Sequence, residues 1–493
     1  MEEWFKWERE ATPHSTYWFF EGVMKQMRAN FGVTWPSTFL IYRGSVVHWR
    51  NSLDGLKKVG HALIGKHLSL KSVSGIERKM RKETEALTKA IAEVEAADLE
   101  SLSDDALSSL YRRFQGEFAD WGGATAATSE PMAYAGEEEI EDMLAGRGLE
   151  GNEKKRLKSL LTATTKESYT LRQMRELLEI AEKYGIRKGN FKRKVKEPRI
   201  LSAIAAHAKR YHWMHNGYLT TYVLGSGFFQ NELMQLLMEK TPEAHLKGLG
   251  RGRREFLDMK ETAARDLHLT SRESKIFQLI DFFGYQQDYR KGFILKAVRV
   301  LDCLLAEIGR RRGIPLLDMK YSIPNEIGLI MAGKLGRKTL SPRMRNCLLS
   351  WREGAKKCEL RAGSMAISEE RKLGLETESG EGLLEIQGIS ANPGRVQGVA
   401  FVTMKASKAN RELEGGEILV TSMTSPDFAP AIRRAAAIVT NEGGITCHAA
   451  IISREFGIPC VVATKFATKA IKSGEIVEVD GNHGFVRILK RMR

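Results

Sequence analysis

The sequence predicts a multidomain chain of α plus α/β class. A large, mainly α-helical N-terminal region over residues 1–373 is followed by a linker at 374–383 and a compact α/β domain over 384–493. Three observations carry that reading. From Trp4 to about Arg371, apolar residues recur at three- and four-residue spacing and no long alternating strand pattern interrupts them. Gly374 through Gly382 is polar, rich in Gly, Glu, Ser and Thr, and has no apolar period. Beyond it the pattern changes to short apolar runs separated by Gly, Asn and Asp, which is the signature of strands in a small α/β unit.

Taken in order, Ile76 to Ala97 is one long helix with charged residues over most of its surface. Ser103 caps the next, which runs through Leu107, Leu110 and Phe114. Leu171 to Tyr184 and Glu232 to Glu239 are further helices, and Gly217 and the Gly225–Gly227 stretch break the segment between them. Gly250-Arg251-Gly252-Arg253-Arg254 lacks the Lys-Ser/Thr ending of a phosphate loop and follows no strand, so it reads as a basic loop. In Ala205 to Tyr218, residues His207, Tyr211, His215 and Tyr218 fall on one face if the helix is continuous. They would present two imidazoles and two phenols, either to a substrate or to a helix–helix seam. After the linker, Val399 to Val402, Ile418 to Val420, Val461 to Ala463 and Ile476 to Val479 are short strands.

Composition narrows the function classes. The 493 residues are enough for two to four domains, and 42% apolar with 28% charged residues describes a water-soluble globular chain. No stretch approaches the apolar length that spans a membrane, and the start, Met1-Glu2-Glu3-Trp4, is acidic where a signal peptide is basic. Cysteines at 303, 347, 358, 447 and 460 form neither a disulfide ladder nor a metal-binding pair. A cytoplasmic location without membrane contact and without a bound metal is the expectation. Of the net charge of +16, the last 110 residues supply only four units, with fourteen Lys/Arg against ten Asp/Glu. Basic runs at 154–158 and 187–196, Arg310-Arg311-Arg312 and the Arg343/Arg345 pair suit a solvated surface or a phosphate-docking face. Nucleic acid is disfavoured, because no aromatic interleaving accompanies them.

The sharpest signal lies between Thr440 and Arg454. Ala435 to Val439 is a buried strand, Gly443-Gly444 a tight turn, and Ala449 to Phe456 a helix stopped by Gly457 and Pro459. His448 therefore stands at a helix N-terminus, where unpaired N–H groups and the helix dipole favour a dianionic phosphoryl group. Gly443 and Gly444 let backbone approach that group, and Thr446 orients the ring or donates to a phosphate oxygen. A neutral imidazole is a competent nucleophile near pH 7, and its phosphoramidate is reactive enough to pass the group onward.

Three blocks in order give this segment a family likeness: Gly388 to Gly394 with Val396 and Gly398; Thr424-Ser425-Pro426-Asp427 with Pro430; and the His448 block ending Gly457-Ile458-Pro459. Over about 110 residues it resembles the phosphohistidine swivelling (mobile) domain of the phosphoenolpyruvate-utilising enzymes, among them phosphoenolpyruvate synthase, pyruvate phosphate dikinase and the rifamycin phosphotransferases. The resemblance implies a phosphotransferase in which His448 is phosphorylated, with Mg²⁺ and ATP or phosphoenolpyruvate as donor. No ATP-grasp block is recognisable, and 45 residues after His448 are too few for the barrel that follows this domain in the synthase. The order looks more like the C-terminal part of a rifamycin phosphotransferase. A separate ATP-grasp partner holding the nucleotide and metal, and a small-molecule acceptor bound by the helical region, are expected. The alternative is a non-catalytic regulatory or binding protein that retains the fold.

Overall fold

A computed structural model describes residues 4–67, 70–125, 129–355, 357–375, 384–444 and 447–491. Thr446, and most of the stretch read as a linker, lie outside the described residues.

The N-terminal region is mainly helical, but it is built around a sheet that the helical periodicity does not announce. Strands β1 (Trp4–Glu10), β2 (Thr38–Arg43), β3 (Val46–Ser52), β4 (Cys347–Trp351) and β5 (Glu359–Ala362) pair antiparallel in the order β1-β3-β2-β4-β5. Two of these strands hide from a search for alternation because they are buried along almost their whole length, so Thr38-Phe39-Leu40-Ile41-Tyr42 and Cys347-Leu348-Leu349 read as plain apolar runs. Gly44, at φ 59°, turns the β2–β3 hairpin in two residues.

Helices Leu53–His67, Leu70–Ala96, Asp104–Thr125 and Ser129–Ala145 share one large core with the sheet and with the 42-residue helix Ser271–Arg312. The expected cap is present: the Ala106 N–H donates to Ser103 Oγ at 3.2 Å. A second cluster, built from Tyr169–Lys183, Pro198–Tyr211 and Ser226–Glu239, packs on Leu295 of the long helix. The glycine- and arginine-rich run at 250–254 is not a loop. It lies within the helix Pro242–Asp266, whose propensity loss at three glycines is outweighed by its neighbours and by its Thr241 cap. The basic triplet at 310–312 ends the long helix, with Arg310 and Arg311 on Glu307 and Arg311 on Asp104. Arg343 is buried against Glu326. These cations are spent within the region.

The C-terminal unit is an eight-stranded sheet of β6 (Glu385–Gln387), β7 (Ile389–Asn392), β8 (Arg395–Val402), β9 (Ile418–Thr421), β10 (Ala437–Thr440), β11 (Cys460–Val462), β12 (Ile476–Asp480) and β13 (Phe485–Lys490), ordered β6-β13-β12-β8-β9-β10-β11-β7. Its centre, β8-β9-β10-β11, is parallel. Helix His448–Phe456 is the crossover between β10 and β11. It ends as its sequence predicts: Gly457 is left-handed at φ 68°, and the Ile458 N–H reaches back to the Ser453 carbonyl at 2.8 Å.

Candidate functional site

His448 is the first residue of its helix, 4% exposed, at the carboxyl ends of the parallel strands where open α/β sheets gather their ligands. Its Nδ1 lies 3.0 Å from Thr424 Oγ1, in the loop that follows β9. Its Nε2 is buried and has no hydrogen-bond partner among the described residues. Burial, with the nearby Lys291 and Arg9 charges, holds the imidazole well below the usual histidine range, so the ring is neutral at pH 7. Thr424 was visible in the sequence as part of a motif block, but its contact with His448 was not: it sits in a different loop and only the parallel sheet brings the two together.

The Gly-Gly turn has two separate reasons. Gly443 has φ 106°, and a Cβ there would also strike Cys447 Sγ at 2.7 Å. At Gly444 a Cβ would meet Glu137 Oε1 at 2.5 Å, so this glycine is where a helix of the N-terminal region approaches the turn.

His448 faces a cavity of about 130 Å³ shared by both parts of the chain. Arg9 of β1 and Arg290 and Lys291 of the long helix line it, together with aromatic side chains. Arg290 pairs with Glu130 at 3.0 Å, and the Arg9 guanidinium covers the Tyr218 ring at 4.3 Å. Burial pushes the Lys291 ammonium down to about 8. The cavity therefore combines a buried nucleophilic nitrogen with cations suited to phosphoryl oxygens.

The four residues expected on one helical face are separated. The helix stops at Tyr211, because Asn216 is buried with its Nδ2 donating to the Leu295 carbonyl at 3.0 Å while its Oδ1 takes the Tyr222 N–H. His207 and Tyr211 remain in the second helical core, the His207 ring against Phe229 and its pKa lowered to about 4 by burial. His215 packs on Phe228 and lines a neighbouring cavity with Asp427. Tyr218 alone reaches the His448 cavity. The sequence had no means of showing the other contributors, Arg9 and Lys291, which come from distant elements.

Polar contacts hold the two parts together. Ser168 Oγ donates to Glu455 Oε2 at 2.6 Å, Arg433 pairs with Glu232 at 2.7 Å, and Arg454 Nη2 donates to Ser159 Oγ at 3.0 Å. Among the described residues, no three His, Cys, Asp or Glu side chains gather in a metal-binding group. No helix among them is long and apolar enough to cross a membrane.

This geometry coincides with a family match. Residues 413–484 match the family model described as PEP-utilising enzyme, mobile domain. The C-terminal unit is such a mobile domain. Among curated proteins, the chain is 52% identical over 110 residues to a probable phosphoenolpyruvate synthase of Archaeoglobus fulgidus, covering 22% of this chain and 14% of that protein. It is 55% identical over 111 residues to the phosphoenolpyruvate synthase of Pyrococcus furiosus, covering 22% and 13%, and 50% identical over 93 residues to that of Neisseria meningitidis serogroup B, covering 18% and 12%. The matched part thus spans 12–14% of the length of these relatives, and it is the mobile-domain part of this chain.

Proposed function

We propose that the chain is a phosphotransferase component in which Nε2 of His448 accepts a phosphoryl group, carries it on the mobile domain, and delivers it to an acceptor in the cavity shared with the helical region. The observation that carries this reading is that His448, whose buried Nε2 has no hydrogen-bond partner among the described residues, lines a cavity with Arg9, Arg290 and Lys291. In the competent tautomer Nδ1–H donates to Thr424 Oγ1, which leaves the Nε2 lone pair free to attack phosphorus. Lys291 and Arg9 offset the charge on the transferring oxygens, and the helix N-terminus adds to that field. The docked arrangement would be the delivery state. Its contacts combine ion pairs and hydrogen bonds with the packing of Phe456 on the Met174, Leu178 and Leu236 cluster.

The donor, ATP or phosphoenolpyruvate with Mg²⁺, is assigned to a separate ATP-grasp chain. In support, the 250–254 run, the nearest candidate for a phosphate loop, is helical. Incubation with labelled ATP tests this. The chain alone should stay unlabelled, and addition of its nucleotide-binding partner should label His448 with an acid-labile phosphate. Labelling that survives His448→Ala removes the proposal.

A further inference from the structure

The walls of the His448 cavity also speak to what is phosphorylated, on the assumption that His448 delivers there. Away from the cations the larger part of the lining is aromatic and apolar, with Phe19, Trp35 and Trp49 among it, and Asn51, Gln287 and Glu137 are polar members of the wall. Phe19 meets Trp35 edge-on at 5.3 Å and Trp49 at 4.5 Å, so ring edges and faces are already arranged for aromatic contact. The residues are fixed by the fold. Trp35 is 1% exposed, and Gly22, just beyond Phe19, is pressed on the Ala119 carbonyl. The volume of about 130 Å³ is close to the roughly 150 Å³ of an apolar cavity that takes up benzene.

The charge distribution makes the same choice. Arg290 is committed to Glu130, and Arg9 lies on Tyr218. Lys291 and Arg9, whose charges both bear on the His448 ring, belong to the phosphoryl end. A small carboxylate acceptor would have to place its own charge among indole and phenyl rings and near the Glu130 and Glu137 carboxylates, which is costly. A neutral ring fits those walls and presents one polar group to the nucleophilic end.

We propose that the acceptor is a small, uncharged, single-ring aromatic compound bearing a hydroxyl group, of which phenol is the simplest. The hydroxyl oxygen attacks phosphorus; the new O–P bond forms as the Nε2–P bond breaks. The electron pair of the broken bond stays on Nε2 and restores the neutral Nδ1–H imidazole, while the hydroxyl proton passes to a phosphoryl oxygen of the aryl phosphate. The phosphoryl group comes from the nucleotide or phosphoenolpyruvate that charged His448.

Calorimetric titration of the purified chain with phenol, cyclohexanol and pyruvate tests the class without any phosphorylation. Phenol should bind at least about ten-fold more tightly than cyclohexanol, for the aromatic contacts it alone makes, and pyruvate should give no heat. Ala133→Phe, which projects a ring into the cavity from its wall, should abolish phenol binding while thermal melting shows a folded chain. A Trp35→Leu variant, which thins the wall, should weaken phenol more than cyclohexanol. Pyruvate binding in place of phenol, equal affinities for phenol and cyclohexanol, or no binding of any of the three, would overturn the inference. None of these outcomes touches His448 labelling, so failure of the acceptor class and failure of the carrier reading are separately visible.

Discussion

Thr424 Oγ1 and His448 Nδ1, brought to 3.0 Å by two loops at the ends of neighbouring parallel strands, set which imidazole nitrogen is available for chemistry. With Nδ1 engaged, Nε2 is the ring nitrogen left without a hydrogen-bond partner among the described residues. Phosphate on His448 should therefore sit on Nε2, as judged by NMR of the phosphorylated protein. Thr424→Val, which keeps the shape and removes the hydroxyl, should slow phosphorylation by about 10–100-fold without loss of fold. An unchanged rate would mean that the hydroxyl does not orient the ring.

Lys291 supplies a pH dependence with a definite sign. Its folded-state pKa is pushed down to about 8, so the cation is present below that pH and is lost as pH rises through it. The rate of transfer from phosphorylated His448, measured as kcat/KM for the acceptor, should fall on the alkaline side with a midpoint near 8. Lys291→Met should remove that limb and lower the rate by about 10²–10³-fold.

Glu455 provides a second titration, at the docking contact. Burial, with Asp288 and Glu167 nearby, pushes its carboxyl up to about 8 although Ser168 donates two hydrogen bonds to it. When the mobile domain leaves, this carboxyl returns to its ordinary value near 4.5. The docked state therefore binds the proton more tightly. Docking is favoured at low pH, weakens as pH rises from about 4.5 to about 8, and is level above that. Fluorescence transfer between labels on the two parts should follow this curve, and Glu455→Gln should flatten it.

Gly22 tests how rigidly the aromatic wall is held. A Cβ at this position would lie 1.9 Å from the Ala119 carbonyl oxygen, a backbone atom that cannot swing away. Gly22→Ala should cost about 1–3 kcal/mol or more, read as a lower denaturation midpoint, and should weaken ligand binding in the adjoining cavity.

How far these features were legible depends on the range of the forces that make them. The His448 helix was readable because its signals are local: a glycine turn before it, Gly457 and Pro459 after it. Helices such as Asp104–Thr125, with Ser103 as cap, are local in the same sense. The five-stranded sheet was not readable, since β2 and β4 are apolar on both faces and pair across nearly the whole helical region. The break after Tyr211 depends on Asn216 finding the Leu295 carbonyl, a tertiary contact that overrides helical spacing. Lys291 and Arg9 joined the site only once the long helix and the first strand were packed against the mobile domain.

The central claim is that His448 carries the phosphoryl group, and the most direct measurement is site mapping. The chain is incubated with labelled ATP and its nucleotide-binding partner, digested under alkaline conditions that preserve phosphohistidine, and sequenced by mass spectrometry. The account predicts one acid-labile phosphate on His448, absent from His448→Ala and chased off by acceptor. Phosphate on any other residue, or labelling retained in His448→Ala, would contradict it.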